Sequence, residues 1–195
     1  MIEIRLWKTD LRFSLLFPAM LLFITASDPS GIAVRCLLAS MMHEIGHLVM
    51  LAVFREWPSA TVINVFGMRI EKREGTRLSH LQDMAISLAG PAVNLIFGIA
   101  LWLCFGAVDM AVIHMVIGGF NLLPIEPLDG GQALMSVLRY RLSDADVDRV
   151  MMGISVLALV PMLWAALMIL FHSGYNFTFL AVTLYVAALL WLKRK

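Results

Sequence analysis

The sequence predicts an all-α polytopic membrane protein of about six transmembrane helices, with a small β-strand or hairpin element between the second and third. Three observations carry this. Of the 195 residues, 61% are apolar and only 15% charged, and the mean hydropathy is +0.85; a soluble domain carries about 25% charge. The apolar residues gather in runs near the length that crosses ~30 Å of hydrocarbon, ~20 residues with ~17 near the lower limit. The lysines and arginines concentrate in alternate connections between those runs, the positive-inside pattern of a chain that threads back and forth.

The runs cover 13–26, 31–54, 83–105, 110–123, 150–171 and 177–192. The second, third and fifth are long enough to span outright. The first, fourth and sixth are short and are expected to stand nearly perpendicular or to thin the bilayer locally. The fourth is expected to continue through the proline-rich stretch to about 128, buried among other helices. Arg5, Lys8 and Arg12 precede the first run, and Arg55, Arg69, Lys72, Arg73 and Arg77 lie between the second and third. Arg139, Arg141 and Arg149 lie between the fourth and fifth, and Lys193, Arg194 and Lys195 follow the sixth. The remaining three connections carry no cation, so both termini are expected in the cytoplasm, with Arg35 snorkelling outward from the second span. The run Thr61–Glu71 is too rich in β-branched residues and too short for another span. It reads as one or two strands within about 60–73, with Gly67 at a bend or bulge. The chain is thus one integral-membrane domain, 1–195.

Cys36 and Cys104 lie inside apolar runs at no ligand spacing and read as small core residues, neither a disulfide nor a metal site. A net charge of +1 and the lack of any nucleic-acid-binding pattern leave the lipid bilayer as the expected surroundings and exclude nucleic acid as a partner.

The second run contains His43-Glu44-Ile45-Gly46-His47. Residues four apart share a helix face, so His43 and His47 can grip one metal ion with Glu44 beside it. Histidine and glutamate are costly in hydrocarbon and mark function there. With the charge-derived topology, His47 and His43 lie roughly 10 and 16 Å of helix rise from the cytoplasmic end at Phe54. Asn94, on the third span, and the acidic pair Glu126 and Asp129, after the fourth, reach the same side. Two imidazoles and a carboxylate leave one position of a zinc ion open for water, so one Zn2+ per chain is expected, with Asp129 as third ligand ahead of Glu126. Glu44 would take a proton from the attacking water and pass it to the leaving amine.

His43-Glu44-Ile45-Gly46-His47, followed by Asn121-Leu122-Leu123-Pro124 and Leu128-Asp129-Gly130-Gly131, resembles the site-2 protease family of intramembrane zinc metalloproteases. Ala89-Gly90-Pro91 with Asn94 adds a third shared signature. The resemblance covers roughly His43 to Gly131 and is nearest the stage IV sporulation protein FB-like branch. A C-terminal CBS domain is common in that branch; here the sequence ends at Lys195 without one, and nucleotide regulation is not expected. The resemblance implies regulated intramembrane proteolysis, with a membrane protein as substrate, cut near its cytoplasmic face, and with regulatory membrane proteins as further partners. It makes His43, His47 and Asp129 zinc ligands and Glu44 the base. It further makes Asn94 a substrate-backbone or oxyanion contact and Asn121 a residue that positions the ligand-bearing turn.

The alternative is a catalytically silent membrane scaffold of the same fold, against which the intact Glu44 argues. His80, His114 and His172 are expected to be incidental, His114 because it lies ~22 Å of helix rise from Asp129. Ser143-Asp144-Ala145-Asp146 reads as a helix start with a capping box.

Overall fold

The structure, a computed structural model, describes residues 2–6, 9–13, 22, 25–56, 60–64, 67–71 and 78–192. Strands β1 (Ile2–Leu6) and β2 (Thr9–Phe13) pair antiparallel, from Ile2 opposite Phe13 to Leu6 opposite Thr9. β2 pairs in parallel with β3 (Ala60–Asn64), and β3 pairs antiparallel with β4 (Gly67–Glu71). The sheet order is β1-β2-β3-β4. Parallel neighbours need a long crossover, and the β2–β3 crossover contains helix α1 (Ile32–Val53).

Five helices follow: α2 (His80–Phe105), α3 (Val108–Asn121), α4 (Asp129–Leu138), α5 (Asp144–Ser173) and α6 (Thr178–Leu192). α2 opens on a capping box in which Ser79 and Gln82 bond each other's backbone N–H. α5 opens on Ser143, whose hydroxyl accepts from the Asp146 N–H as the sequence pattern implied. Both helices close on a left-handed glycine, Gly106 and Gly174, the backbone conformation that only glycine adopts without a Cβ penalty.

The expected fold class, all-α with six spans and a small β element, is corrected on two counts. The chain holds a four-stranded sheet rather than an isolated element, because the N-terminal residues supply two strands that the sequence reading took for a charged flank. Ile2, Ile4 and Leu6 alternate with Glu3 and Arg5, a period of two that signals a strand; β1 pairs with the next strand, β2, but the strand that ties this hairpin into the sheet, β3, lies beyond α1. Among the described residues, three helices (α1, α2 and α5) are long and apolar enough to cross a membrane, while α3 and α6 are apolar but shorter. The expected first span, 13–26, lies largely outside the described residues. The expected fourth span stops at Asn121 instead of reaching 128, because Pro124 and Pro127 lack the N–H a helix needs and disfavour helical geometry before them.

The outward faces of the helices are apolar: Leu157 is 73% exposed and Trp164 64%. The buried set, in contrast, includes His43, His47, Asn94, His114, Glu126, Ser155 and Thr183. That inversion is what a hydrocarbon solvent selects. α2 is the hub, packed against α1, α3 and α4, while α5 packs on α6 and touches α4.

Candidate metal centre

On α1 the buried residues Ala39, His43, Gly46, His47 and Leu51 form one stripe. The stripe on α2 is Ile86, Ala89, Gly90, Asn94 and Gly98. Gly90 sits where the two stripes meet the imidazoles. A Cβ there would collide with Nε2 of His47 and come 2.8 Å from Nε2 of His43, so only glycine leaves the space between the rings open.

Asp129 arrives from the other direction, as the first residue of α4. Its position is set by the turn between α3 and α4. Glu126 N–H donates to Ser155 Oγ on α5 (3.0 Å), and Gln132 Nε2 on α4 donates to the Glu126 carbonyl (2.7 Å). Ile125, fully buried, plugs the turn into a cluster with Met162 of α5 and Val186 of α6. The two glycines after Asp129 are needed for the same reason as Gly90: a Cβ on Gly130 would strike the Leu122 carbonyl, and one on Gly131 the Ile125 carbonyl.

The result is a triangle of donor atoms. His43 Nε2 lies 2.9 Å from Asp129 Oδ2, His47 Nε2 lies 3.4 Å from the same oxygen, and the two Nε2 atoms are 3.2 Å apart. Zinc holds nitrogen and oxygen ligands at about 2.0–2.2 Å in a tetrahedron, whose edge is then about 3.3–3.6 Å. The three separations are close to that edge, and the donor set, two imidazoles and a carboxylate, is one that zinc takes. Among the described residues this is the one grouping of histidine, cysteine and acidic side chains able to hold a metal ion.

His47 Nδ1 donates to the Ile86 carbonyl across 2.7 Å, leaving the Nε2 lone pair free to ligate. One residue beyond His43, Glu44 is half-buried and lies about 60° of helix rotation from His47. Glu126, the other third-ligand candidate, is buried but stands outside the triangle. Asn121 donates its amide to the Ile117 carbonyl at 3.0 Å. Asn94 is completely buried, its amide lying between His43 Nδ1 and His114 Nδ1. His114 thus joins the site that the sequence reading kept it from. The rise along the chain separated it from Asp129, but α2 bridges the gap. The available signal was its place with Ala111 and Gly118 on the small-residue face of α3. His80 and His172 take no part in the grouping. Both cysteines are free, but neither is the core residue expected: Cys36 is half-buried and Cys104 exposed.

The signature of Peptidase family M50 matches residues 107–162. Stage IV sporulation protein FB of Bacillus subtilis is 30% identical over 176 residues, 78% of this chain and 57% of that protein. A zinc metalloprotease of Methanocaldococcus jannaschii is 26% identical over 118 residues, 50% of this chain and 31% of that protein. The chain therefore spans less than two thirds of these relatives' length. The solved structure of the site-2 protease from Methanocaldococcus jannaschii superposes with a TM-score of 0.67 at 19% identity, covering 95% of this chain and 91% of that one, a likeness of fold.

Proposed function

We propose that this chain, a member of the site-2 protease family of intramembrane zinc metalloproteases, hydrolyses a peptide bond of a membrane-embedded or membrane-associated protein near the cytoplasmic face. The observation that carries the reading is the meeting of His43, His47 and Asp129. Residues 86 positions apart, from a helix and a turn, bring their donor atoms together beside a glutamate that has no part in the grouping.

His43 and His47, held on one face of α1, and Asp129, held by the clamped turn, would bind the zinc. When bound, zinc supplies Lewis acidity that polarises the scissile carbonyl and makes a water nucleophilic near neutral pH. Glu44 takes a proton from the attacking water and delivers it to the amine nitrogen of the departing peptide. His47 stays in its ligating tautomer through Ile86. Asn121, tied to the last turn of α3, steadies the start of the ligand-bearing turn. Complete burial of Asn94 between two imidazoles supports a role within the centre rather than the substrate contact expected of it.

The alternating cations support a topology with both termini in the cytoplasm, and the bacterial and archaeal relatives support a prokaryotic cell membrane. The substrate is a membrane protein, with regulatory membrane proteins as further partners. The test compares membrane and released peptides from cells making the wild type or Glu44→Gln at equal levels, searched by mass spectrometry for new termini inside transmembrane segments. Termini present only with the wild type are the expected result and name the substrate. Identical profiles from two zinc-loaded proteins would favour the silent scaffold.

A further inference from the structure

We propose that His114 is a positioning residue for the metal centre, and that Asn94 and His114 form a hydrogen-bond relay that inverts when His43 ligates zinc. The proposal rests on the zinc reading above. Asn94 is 0% exposed and His114 1%. The Asn94 amide nitrogen lies 3.4 Å from Nδ1 of His43, and its oxygen lies 3.2 Å from Nδ1 of His114. A carboxamide has one donor end and one acceptor end. The two ring nitrogens that face it must therefore differ, one offering a lone pair and the other an N–H.

With the Asn94 nitrogen turned toward His43 Nδ1, as it lies in the structure, the amide donates to a neutral His43 that accepts at Nδ1. The His43 proton then sits on Nε2 and is donated to Asp129 Oδ2 across 2.9 Å, so Nε2 has no lone pair for a metal. His114 Nδ1–H donates to the Asn94 oxygen. Ligation through His43 Nε2 requires the reverse pattern. His43 must carry its proton on Nδ1, and Asn94 must turn its oxygen toward that proton. Its nitrogen then faces His114, which must accept at Nδ1 and carry its own proton on Nε2.

A half-turn of the amide exchanges two atoms of similar size and displaces no neighbour. Phe97 stacks on the His114 ring, with centroids 5.9 Å apart and planes at 30°, so His114 answers by changing tautomer rather than by rotating. His47 needs no such relay, because its acceptor is the fixed carbonyl of Ile86. The two histidine ligands are thus oriented by different means, one by backbone and one by a reversible amide backed by His114.

The experiment uses full-length protein with 15N-labelled histidine in lipid nanodiscs, and long-range proton–nitrogen correlation to read each tautomer with and without one equivalent of zinc. His114 is expected as Nδ1–H without zinc and Nε2–H with it. In Asn94→Asp both ends accept, so zinc still binds and His114 keeps Nδ1–H throughout. In His114→Leu the turned amide has no acceptor, and zinc affinity by chelator competition falls about tenfold, the low end for outer partners of a ligand; His114→Gln, which keeps an acceptor, loses less. Zinc bound with His114 in one tautomer in both states, or an unchanged affinity in His114→Leu, overturns the relay alone. Failure of the wild type to bind zinc at all overturns the functional reading together with it.

Discussion

Helices α1 to α3 bury mostly small or polar side chains: Ala39, His43, Gly46 and His47 on α1, Ala89, Gly90, Asn94 and Gly98 on α2, Ala111, His114 and Gly118 on α3. The pair α5 and α6 buries mainly larger apolar ones, Val147, Met151, Met162, Val186 and Leu190, with Ser155 and Thr183 as the polar exceptions. One of those two acts locally and the other reaches back toward the first region. Thr183 bonds the Phe179 carbonyl on its own helix, and Ser155 holds the turn that carries Asp129. Lipid tails are as apolar as leucine, so hydrophobicity alone does not draw helices together in a bilayer; small residues and buried hydrogen bonds do. The first region is therefore specified contact by contact around the site, and the second serves as its buttress.

The largest effects should fall inside the first region. Glu44→Gln should lower turnover of a transmembrane reporter in proteoliposomes by about 10²- to 10⁴-fold, the range of general acid–base catalysis, with zinc content unchanged. Asp129→Asn should weaken zinc binding by more than the roughly 100-fold that marks the loss of an outer partner, measured by chelator competition; a smaller loss would return Glu126 to consideration.

A matched pair of glycines sharpens the contrast directly. Gly90→Ala forces a Cβ onto both imidazoles, whereas Gly153 on α5 has open space around it. Thermal unfolding in detergent should show Gly90→Ala destabilised by about 1–3 kcal/mol through overpacking, with zinc lost. Gly153→Ala should gain up to about 1 kcal/mol of helix propensity. Equal behaviour of the two would erase the distinction between the regions. At the junction, Ser155→Ala leaves the buried Glu126 N–H without its acceptor, costing about 1–3 kcal/mol, and should lower zinc affinity although Ser155 touches no ligand.

The smallest effect lies outside both regions. In the loop before α1, Asp28 accepts from the Ser30 hydroxyl and from the Ala33 N–H, which hold its carboxyl below the ordinary value of 3.8. A folded value below the unfolded one contributes stability above about that pH and loses it as the pH falls further. Protection of the amides in the first turn of α1, taken relative to their intrinsic exchange rate at each pH, should therefore fall on acidification below pH ~4, and Asp28→Asn should flatten that dependence.

Much of the site was legible because its signals are local. His43 and His47 are four apart on one helix, and the Asp129-Gly130-Gly131 signature is contiguous. The cost of such groups in hydrocarbon made them conspicuous. The capping residue Ser143 was legible for the same reason. His114 was passed over because distance along the chain stood in for distance in space, and Asn94, read as a substrate contact, is the group that connects it to His43. The N-terminal strands were passed over because their charges served the topology argument while their alternation went uncounted.

The sequence by itself determined that the chain carries apolar runs of membrane length, that His43 and His47 share one helix face with Glu44 beside them, and that Asp129 stands in a second, contiguous signature. Hydropathy, helical spacing and donor chemistry are properties of short segments and survive without a fold. Only the tertiary structure decided that β2 lies beside β3 across α1, that a glycine must stand between the two imidazoles, and that one buried amide couples His43 to His114. Those are relations between segments far apart in the chain, fixed by how closely backbones approach and by which end of a polar group meets which partner.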